Sequence, residues 1–162
     1  MPMMVFRLSK QRGVTLIEVM IALLILAIGL LGFAAMQTQG MVTGRKAFLN
    51  SQAEVLAEDM VERIRANSLN AAGVAAYAMT TNDNGVNKGC DTNNCSISDM
   101  RQWDQFKWKT RLANTLPSGN GDVTVTIGAN GYATVKITVS YALDREETAN
   151  AQYMLATQIN PT

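Results

Sequence analysis

The chain has 162 residues, enough for one ordinary domain, and its net charge of +1 argues against a general nucleic-acid or strongly anionic partner. It contains no histidine, which removes the commonest general base and the commonest transition-metal ligand. With no recognised nucleophile, glycine-rich phosphate loop or metal motif, the sequence predicts a protein that is not an enzyme and has no catalytic residue, cofactor or metal.

The N-terminal part of the chain allows two ordinary interpretations, a secretory signal peptide and a transmembrane anchor. No residue from Val19 to Met36 is charged. This run is long for a signal peptide, and no small-residue cleavage site follows it promptly. Residues 16–36 supply the roughly 20 apolar residues that a membrane-spanning helix needs. Because Arg7, Lys10 and Arg12 precede the run, the positive-inside rule places the N-terminus in the cytoplasm and the body outside.

Glu18 lies at the threshold of the apolar run. A carboxylate at the edge of the hydrocarbon is costly unless it is paired, so its presence is a functional hypothesis by default. The plain alternative is a glutamate that reaches the interface from the first helical turn, where the helix dipole favours negative charge. That alternative does not account for Gly13, which precedes Glu18 by five residues.

The stretch GVTLIE, from Gly13 to Glu18, resembles the type IV pilin signature, in which a short basic leader ends in Gly and Glu is fifth in the mature chain. The resemblance implies that prepilin peptidase removes residues 1–13 and methylates the amine of Val14. Val14 departs from the Phe that the family most often has first. It also implies that Glu18 pairs with the N-terminal amine of a neighbouring subunit. A desolvated charge left unmatched is costly, so Glu18 would penalise misaligned insertion.

The helical pattern continues past the apolar run, and we expect one helix from about Val14 to Asn67, roughly 80 Å long at about 1.5 Å per residue. Residues 14–40 would be its transmembrane and filament-stalk half, and residues 41–162 the periplasmic head. Two pairs, Asp59–Arg63 and Glu62–Arg65, support the polar side of its second half. An apolar stripe on the other side predicts packing against the head. The stripe comprises Leu49, Ala53, Leu56, Met60 and Ile64.

Residues 70–98 are rich in Asn, Gly and small residues, which predicts a loop. Cys90 and Cys95 would most simply form a disulfide in an oxidising compartment, closing a short loop worth about 2 kcal/mol. Two cysteines cannot supply a Cys₄ or Cys₂His₂ zinc site here. The nearby acids and amides lack the order of an EF-hand, so we expect no calcium site.

A short helix is predicted next, with Ser98 as its N-cap, Asp99 in its first turn and Pro117 after its end. Apolar and basic side chains are interleaved along it. Core packing with a solvated basic edge is the favoured interpretation, and a nucleic-acid stacking surface is the alternative. The apolar residues are Trp103, Phe106, Trp108, Leu112 and Leu116, and the basic ones are Arg101, Lys107, Lys109 and Arg111.

The C-terminal third has the alternation of β-strands. Residues 122–127 and 132–141 both alternate between apolar and polar side chains, and the link GANG (128–131) predicts a hairpin. Residues 151–159 are a plausible third strand. The predicted fold class is therefore α+β, type IV pilin-like: a long N-terminal helix packed in its second half on a small antiparallel sheet.

Two later segments resemble the minor pilin family called type IV pilus modification protein PilV. They are LAEDMVERIRAN (56–67) and LPSGNGDVTV (116–125), the second preceded by a cysteine and a Trp-bearing helix. The resemblance implies a minor pilin in low copy at or near the pilus tip, where it helps to prime assembly. The implied partners are prepilin peptidase, other minor pilins, the major pilin and a tip adhesin. The implied location is the bacterial inner membrane with a periplasmic head, and then the pilus.

Two related functions stay open at this stage. A minor pseudopilin of a type II secretion system would have the same N-terminal design in a different machine. A minor pilin whose head binds DNA or a host surface would need a concentrated basic or aromatic patch, for which the segment from Trp103 to Arg111 is the candidate. Nucleic acid is not an expected partner, and core packing explains that segment more simply.

Overall fold

The computed structural model describes residues 13–143 and 150–160. The chain divides into two compact units, one ending at Thr43 and the other beginning at Gly44, and helix α1 contributes to both. The α+β fold is confirmed, with the following elements in chain order. They are α1 (Leu16–Asn67), α2 (Ala71–Ala75), α3 (Ile97–Thr115), β1 (Asn120–Ile127), β2 (Ala133–Ala142) and β3 (Asn150–Ile159).

The core of the second unit, which we call the head, forms where residues 49–64 of α1 meet the sheet and α3. Every member of the predicted apolar stripe is buried, as are Ala57 and Val61 beside it. Both predicted ion pairs are present, Arg63 Nε lying 3.1 Å from Asp59 Oδ2 and Arg65 Nη1 lying 2.6 Å from Glu62 Oε1. The helical period of about 3.6 residues therefore correctly predicts which side of this half of α1 is buried.

The sheet is a three-stranded antiparallel meander with strand order β1-β2-β3. Val123 lies opposite Ile137, and Ile137 lies opposite Leu155. Alternate side chains of β2 point into the core, where Val135, Ile137 and Val139 are fully buried. The predicted hairpin is confirmed, although β1 begins at Asn120, two residues earlier than its apolar alternation indicated.

The segment predicted to be a loop is packed against the head along part of its length. Asn70 caps the short helix α2, its side-chain oxygen accepting a hydrogen bond from the Gly73 N–H at 2.8 Å. Met79 then forms an antiparallel bridge with Val123 of β1. Gly85 has φ of +64°, and a Cβ there would collide with the α3 backbone at Gln102. A glycine is therefore required at position 85 by both its backbone conformation and its close approach.

Helix α3 begins two residues earlier than expected. Its N-cap is Ser96, not Ser98, since the Ser96 Oγ accepts a hydrogen bond from the Asp99 N–H at 3.1 Å. The cap must precede by three residues the N–H that it accepts, and Ser96 has the extended backbone that a cap needs. At the other end, Leu116 is extended because Pro117 follows it.

Candidate processing and assembly segment

The segment from Gly13 to Thr15 runs directly into α1. The Thr15 carbonyl accepts hydrogen bonds from the N–H groups of Glu18 at 3.1 Å and Val19 at 3.4 Å, which closes the first turn. A Cβ at Gly13 would meet no atom within 4 Å, and the backbone there does not have positive φ. Neither packing nor conformation therefore requires glycine at position 13.

Glu18 lies in the first turn of α1 and is exposed. Its neighbours along the chain are also exposed, Ile17 by 67% and Ile21 by 54%. From Gly13 to Gly44 the sequence contains no lysine or arginine. A cation that pairs with Glu18 from within this segment would have to be a new amine, such as the one that cleavage would create at Val14.

The part of α1 that precedes Gly44 presents apolar side chains on all sides. The helix is long and apolar enough to cross a membrane, judged by length and composition alone, and its most apolar stretch is 0% buried. Contiguous apolar surface of this extent marks contact with a membrane or with other proteins. The largest exposed side chains include Leu16, Met20, Leu24, Ile28, Leu31 and Phe33.

Cys90 and Cys95 form a disulfide in the head. The bridge closes a small turn in which the Gly89 carbonyl accepts hydrogen bonds from the Thr92 and Asn93 N–H groups. Lys88 Nζ lies 3.1 Å from Asp99 Oδ1 and so connects this turn to the start of α3. The pKa of Asp99 is lowered, first by the hydrogen bond from Ser96 and then by Lys88.

Replacing both Cys90 and Cys95 with serine is expected to lower the free energy of unfolding of the head by about 2 kcal/mol. The loop that the bridge closes is short, so its removal returns little conformational freedom to the unfolded chain. Urea titration followed by tryptophan fluorescence measures the change. Treatment of the wild-type protein with reductant is the matched control. It should shift the urea midpoint to that of the double serine variant. A loss of more than about 5 kcal/mol would contradict a local role for the bridge.

Lys109 is part of the head interior and not of a basic edge. It is 7% exposed, and the three N–H groups of its ammonium are shared among four oxygen acceptors. Burial lowers its pKa, and the charges of Asp83 and Asp122 oppose that shift. The acceptors are the Thr80, Thr81 and Gly121 carbonyls and Asn120 Oδ1, at 3.2, 3.0, 2.7 and 2.6 Å respectively.

A second polar cluster connects α1 to α3, and the sequence did not indicate it. Asp104 is 5% exposed and accepts hydrogen bonds from Arg63 Nη1 at 2.9 Å and Tyr77 Oη at 2.8 Å. Burial would lower the pKa of Arg63, but hydrogen bonds to Asp59 and Asp104 outweigh it and raise that pKa. The one available signal was an acid four residues before Trp108, on the same helical face.

The basic and aromatic side chains from Trp103 to Arg111 do not form the single concentrated patch that nucleic-acid binding would require. Lys109 faces inward, and Arg111 Nη1 lies 3.0 Å from Asp59 Oδ2 of α1. Lys107 Nζ lies 5.2 Å from the centre of the Trp103 ring. Trp108 is fully buried and donates through Nε1 to the Leu56 carbonyl at 2.8 Å. Core packing therefore explains most of this segment.

The described residues contain no group of three or more His, Cys, Asp or Glu side chains that could hold a metal ion.

Two family models match successive parts of the chain. Residues 8–34 match the prokaryotic N-terminal methylation motif, and residues 35–106 match the model described as type IV pilin Tt1218. No curated protein and no solved structure matches the chain. The matches confirm the resemblance to type IV pilins, a structural and not an enzymatic family, whereas the resemblance to PilV stays a prediction.

Proposed function

We propose that this chain, a type IV pilin with an N-terminal methylation motif, is a minor pilin that is cleaved after Gly13 and enters the filament through α1. The observation that carries the proposal is the junction between an unconstrained glycine and an exposed apolar helix that has an acid in its first turn. Prepilin peptidase would cut on the cytoplasmic side and methylate the new amine of Val14. The periplasmic head would then follow α1 into the pilus.

The change in charge supports cleavage at this point. Removal of residues 1–13 takes away three of the 14 basic residues and none of the 13 acidic ones, so the net charge changes from +1 to −2. The leader cations that hold the N-terminus in the cytoplasm are lost together. One α-amine replaces them near Glu18, at the end of the helix that must leave the membrane.

Replacing Gly13 with serine is expected to leave the precursor uncut. Nothing in the fold requires glycine there, so serine should not disturb α1. The substitution should affect only cleavage by the peptidase. Intact-mass measurement of the membrane-held chain distinguishes the precursor from a chain that begins at methylated Val14. Thr15→Ser, two residues away, is the matched control and should be processed fully. A mature N-terminus at Val14 in the Gly13→Ser protein would refute the assignment of the leader.

The narrower assignment is to the PilV-like minor pilins, at or near the pilus tip. The two segments that resemble that family, 56–67 and 116–125, both contribute to the head core through residues such as Met60, Leu116 and Val123. Quantitative mass spectrometry of sheared pili tests this assignment. A minor pilin should be present at a few per cent of the major pilin or less and should be recovered with other minor pilins and a tip adhesin. Recovery with a secretion machine and not with pili would favour the pseudopilin.

A further inference from the structure

Strand β3 (Asn150–Ile159) pairs with β2 on one side, and no other described strand lies on its far side. It is one of the two longest strands in the sheet. Its outer edge therefore presents backbone hydrogen-bonding groups that no strand in the described part of the chain satisfies. Such an edge is a ready template for another extended segment.

The register shows which groups face outward. Val123 of β1 exchanges both of its backbone hydrogen bonds with Met79, each at 2.9 Å, so it points away from β2. Hydrogen-bonding direction alternates along antiparallel strands, and the pairing continues without a bulge from β1 to β3. Tyr153 and Leu155 consequently bond to β2. The N–H and C=O groups on the outer edge are those of Gln152, Met154, Ala156 and Gln158.

This edge lacks the usual features that prevent strand addition. Natural edges are commonly shortened, bulged, or marked with proline or lysine. From Asn150 to Asn160 the sequence contains neither proline nor any charged residue, and Met154 is 60% exposed in the middle of the strand. The edge is therefore suited to binding a strand of a partner.

An acidic flank of α1 lies beside this edge. Glu54, Glu58 and Glu62 recur at intervals of four residues, so they lie on one side of the helix. Burial first, and then the charges of Glu54 and Glu58, raise the pKa of Tyr153 on β3. Glu58 and Glu62 also line a groove of about 330 Å³ together with side chains of β3. Arg65 pairs with Glu62 and borders the same groove.

We propose that the outer edge of β3, together with the acidic flank formed by Glu54, Glu58 and Glu62, is a docking site for an extended segment of a different pilin subunit. A strand added there would lie over the flank of α1, so its side chains facing α1 should be basic. The backbone would supply affinity and the acidic residues would select the partner. This inference rests on the proposed function, in which the chain assembles with other pilins.

A second copy of this chain fits the site poorly. The other edge of its sheet is that of β1, where Met79 already pairs with Val123. A groove of about 490 Å³ at that edge is bordered by Asp83 and Asp122, so acids would meet acids. Pairing of two β3 edges about a two-fold axis would bring the acidic flanks together. It would also reverse the direction of α1 between the copies, whereas subunits anchored by the same helix share one direction. Charge and direction therefore both favour a different subunit.

Photocrosslinking in the full-length chain, in cells that make the pilus, tests this site. Benzoylphenylalanine in place of Met154 is expected to crosslink to another chain that has a type IV pilin N-terminus, through a peptide that contains lysine or arginine. Ala156→Pro removes an outward N–H and should reduce the crosslinked product at least about tenfold, since proline is tolerated on edges but blocks strand addition. Ile127→Pro makes the same change on the outer edge of β1 and should not.

A charge reversal on α1 tests the same site without changing the backbone of β3. Its result therefore does not depend on how Ala156→Pro affects folding of that strand. Glu54→Lys with Glu58→Lys should reduce the same crosslink about fivefold or more, which corresponds to about 1 kcal/mol of lost charge complementarity. Asp91→Lys, an exposed acid in the disulfide loop, is the control and should leave the yield unchanged. Crosslinks to a second copy of this chain would overturn the proposal, as would a yield that neither Ala156→Pro nor the charge reversal lowers.

Recovery of the chain in sheared pili is measured in the same cells. If the chain is present in pili but the Met154 probe reaches no pilin, the docking site is wrong and the proposed function stands. If the chain is absent from pili under conditions in which it is processed, both proposals are overturned.

Discussion

Glu18→Ala is expected to give a subunit that is cleaved and held in the membrane normally but enters pili at about one tenth of the wild-type level or less. The reason is the neighbour's N-terminal amine, which would lie among apolar helices without its carboxylate. An uncompensated charge in such surroundings costs several kcal/mol, and about 1.4 kcal/mol already corresponds to a factor of ten. Quantitative mass spectrometry of sheared pili and of membranes gives the two amounts separately.

Two further variants identify the cause. Glu18→Gln keeps the size and polarity of the side chain but not its charge, so it should resemble Glu18→Ala if charge pairing is decisive. Thr15→Ala changes a neighbouring exposed residue and should enter pili normally. Normal incorporation of Glu18→Ala would show that Glu18 is only an interfacial glutamate stabilised by the helix dipole.

Lys109→Met is expected to lower the free energy of unfolding of the head by about 2 kcal/mol. Methionine fills a similar space, so the change isolates the loss of the ammonium donors. The buried Gly121 carbonyl would lose the donor that Lys109 supplies, and a buried acceptor without one costs about 1–3 kcal/mol. The Thr80 and Thr81 carbonyls would each lose one donor but keep a second, from the Asp83 N–H and Asn120 Nδ2 respectively. Recovery of the cost of burying a charge offsets part of this loss.

Urea titration followed by tryptophan fluorescence measures the effect. Trp108 is the probe, because it precedes Lys109 in the chain and is buried in the core. Lys107→Met is the matched control. Its ammonium lies over the Trp103 ring, and such an exposed contact contributes about 0.5–1 kcal/mol. Equal losses for the two variants would contradict the interior role of Lys109.

The sequence predicted those parts of the fold that depend on a local period. The buried stripe of α1 followed from its spacing of three and four residues, and the hairpin followed from two alternating runs joined by GANG. The prediction misplaced the N-cap of α3 because Ser96 and Ser98 both have suitable side chains, whereas Ser98 lies inside the first turn of the helix. Only the backbone conformation at Ser96 distinguishes them.

The features that the sequence did not predict depend on contacts between distant segments. The bridge between Met79 and Val123 and the approach of Gly85 to α3 have no local pattern. Lys109 appeared to be a surface residue because three of its acceptors are main-chain carbonyls, which every residue possesses. Gly13 is the converse case. The prediction of a cleavage site there rests on the sequence alone, because the fold does not require glycine at this position.

The way in which Lys109 is satisfied has a consequence for how the head can diverge. At Thr81 the hydrogen bonds from Lys109 and Asn120 both end on the carbonyl oxygen, and none is formed by the hydroxyl in the described contacts. The loop is therefore held through atoms that substitution does not alter. A substitution at this position would change the exposed surface of the loop while the loop keeps its path. The chemistry of this surface can therefore vary at little cost in stability.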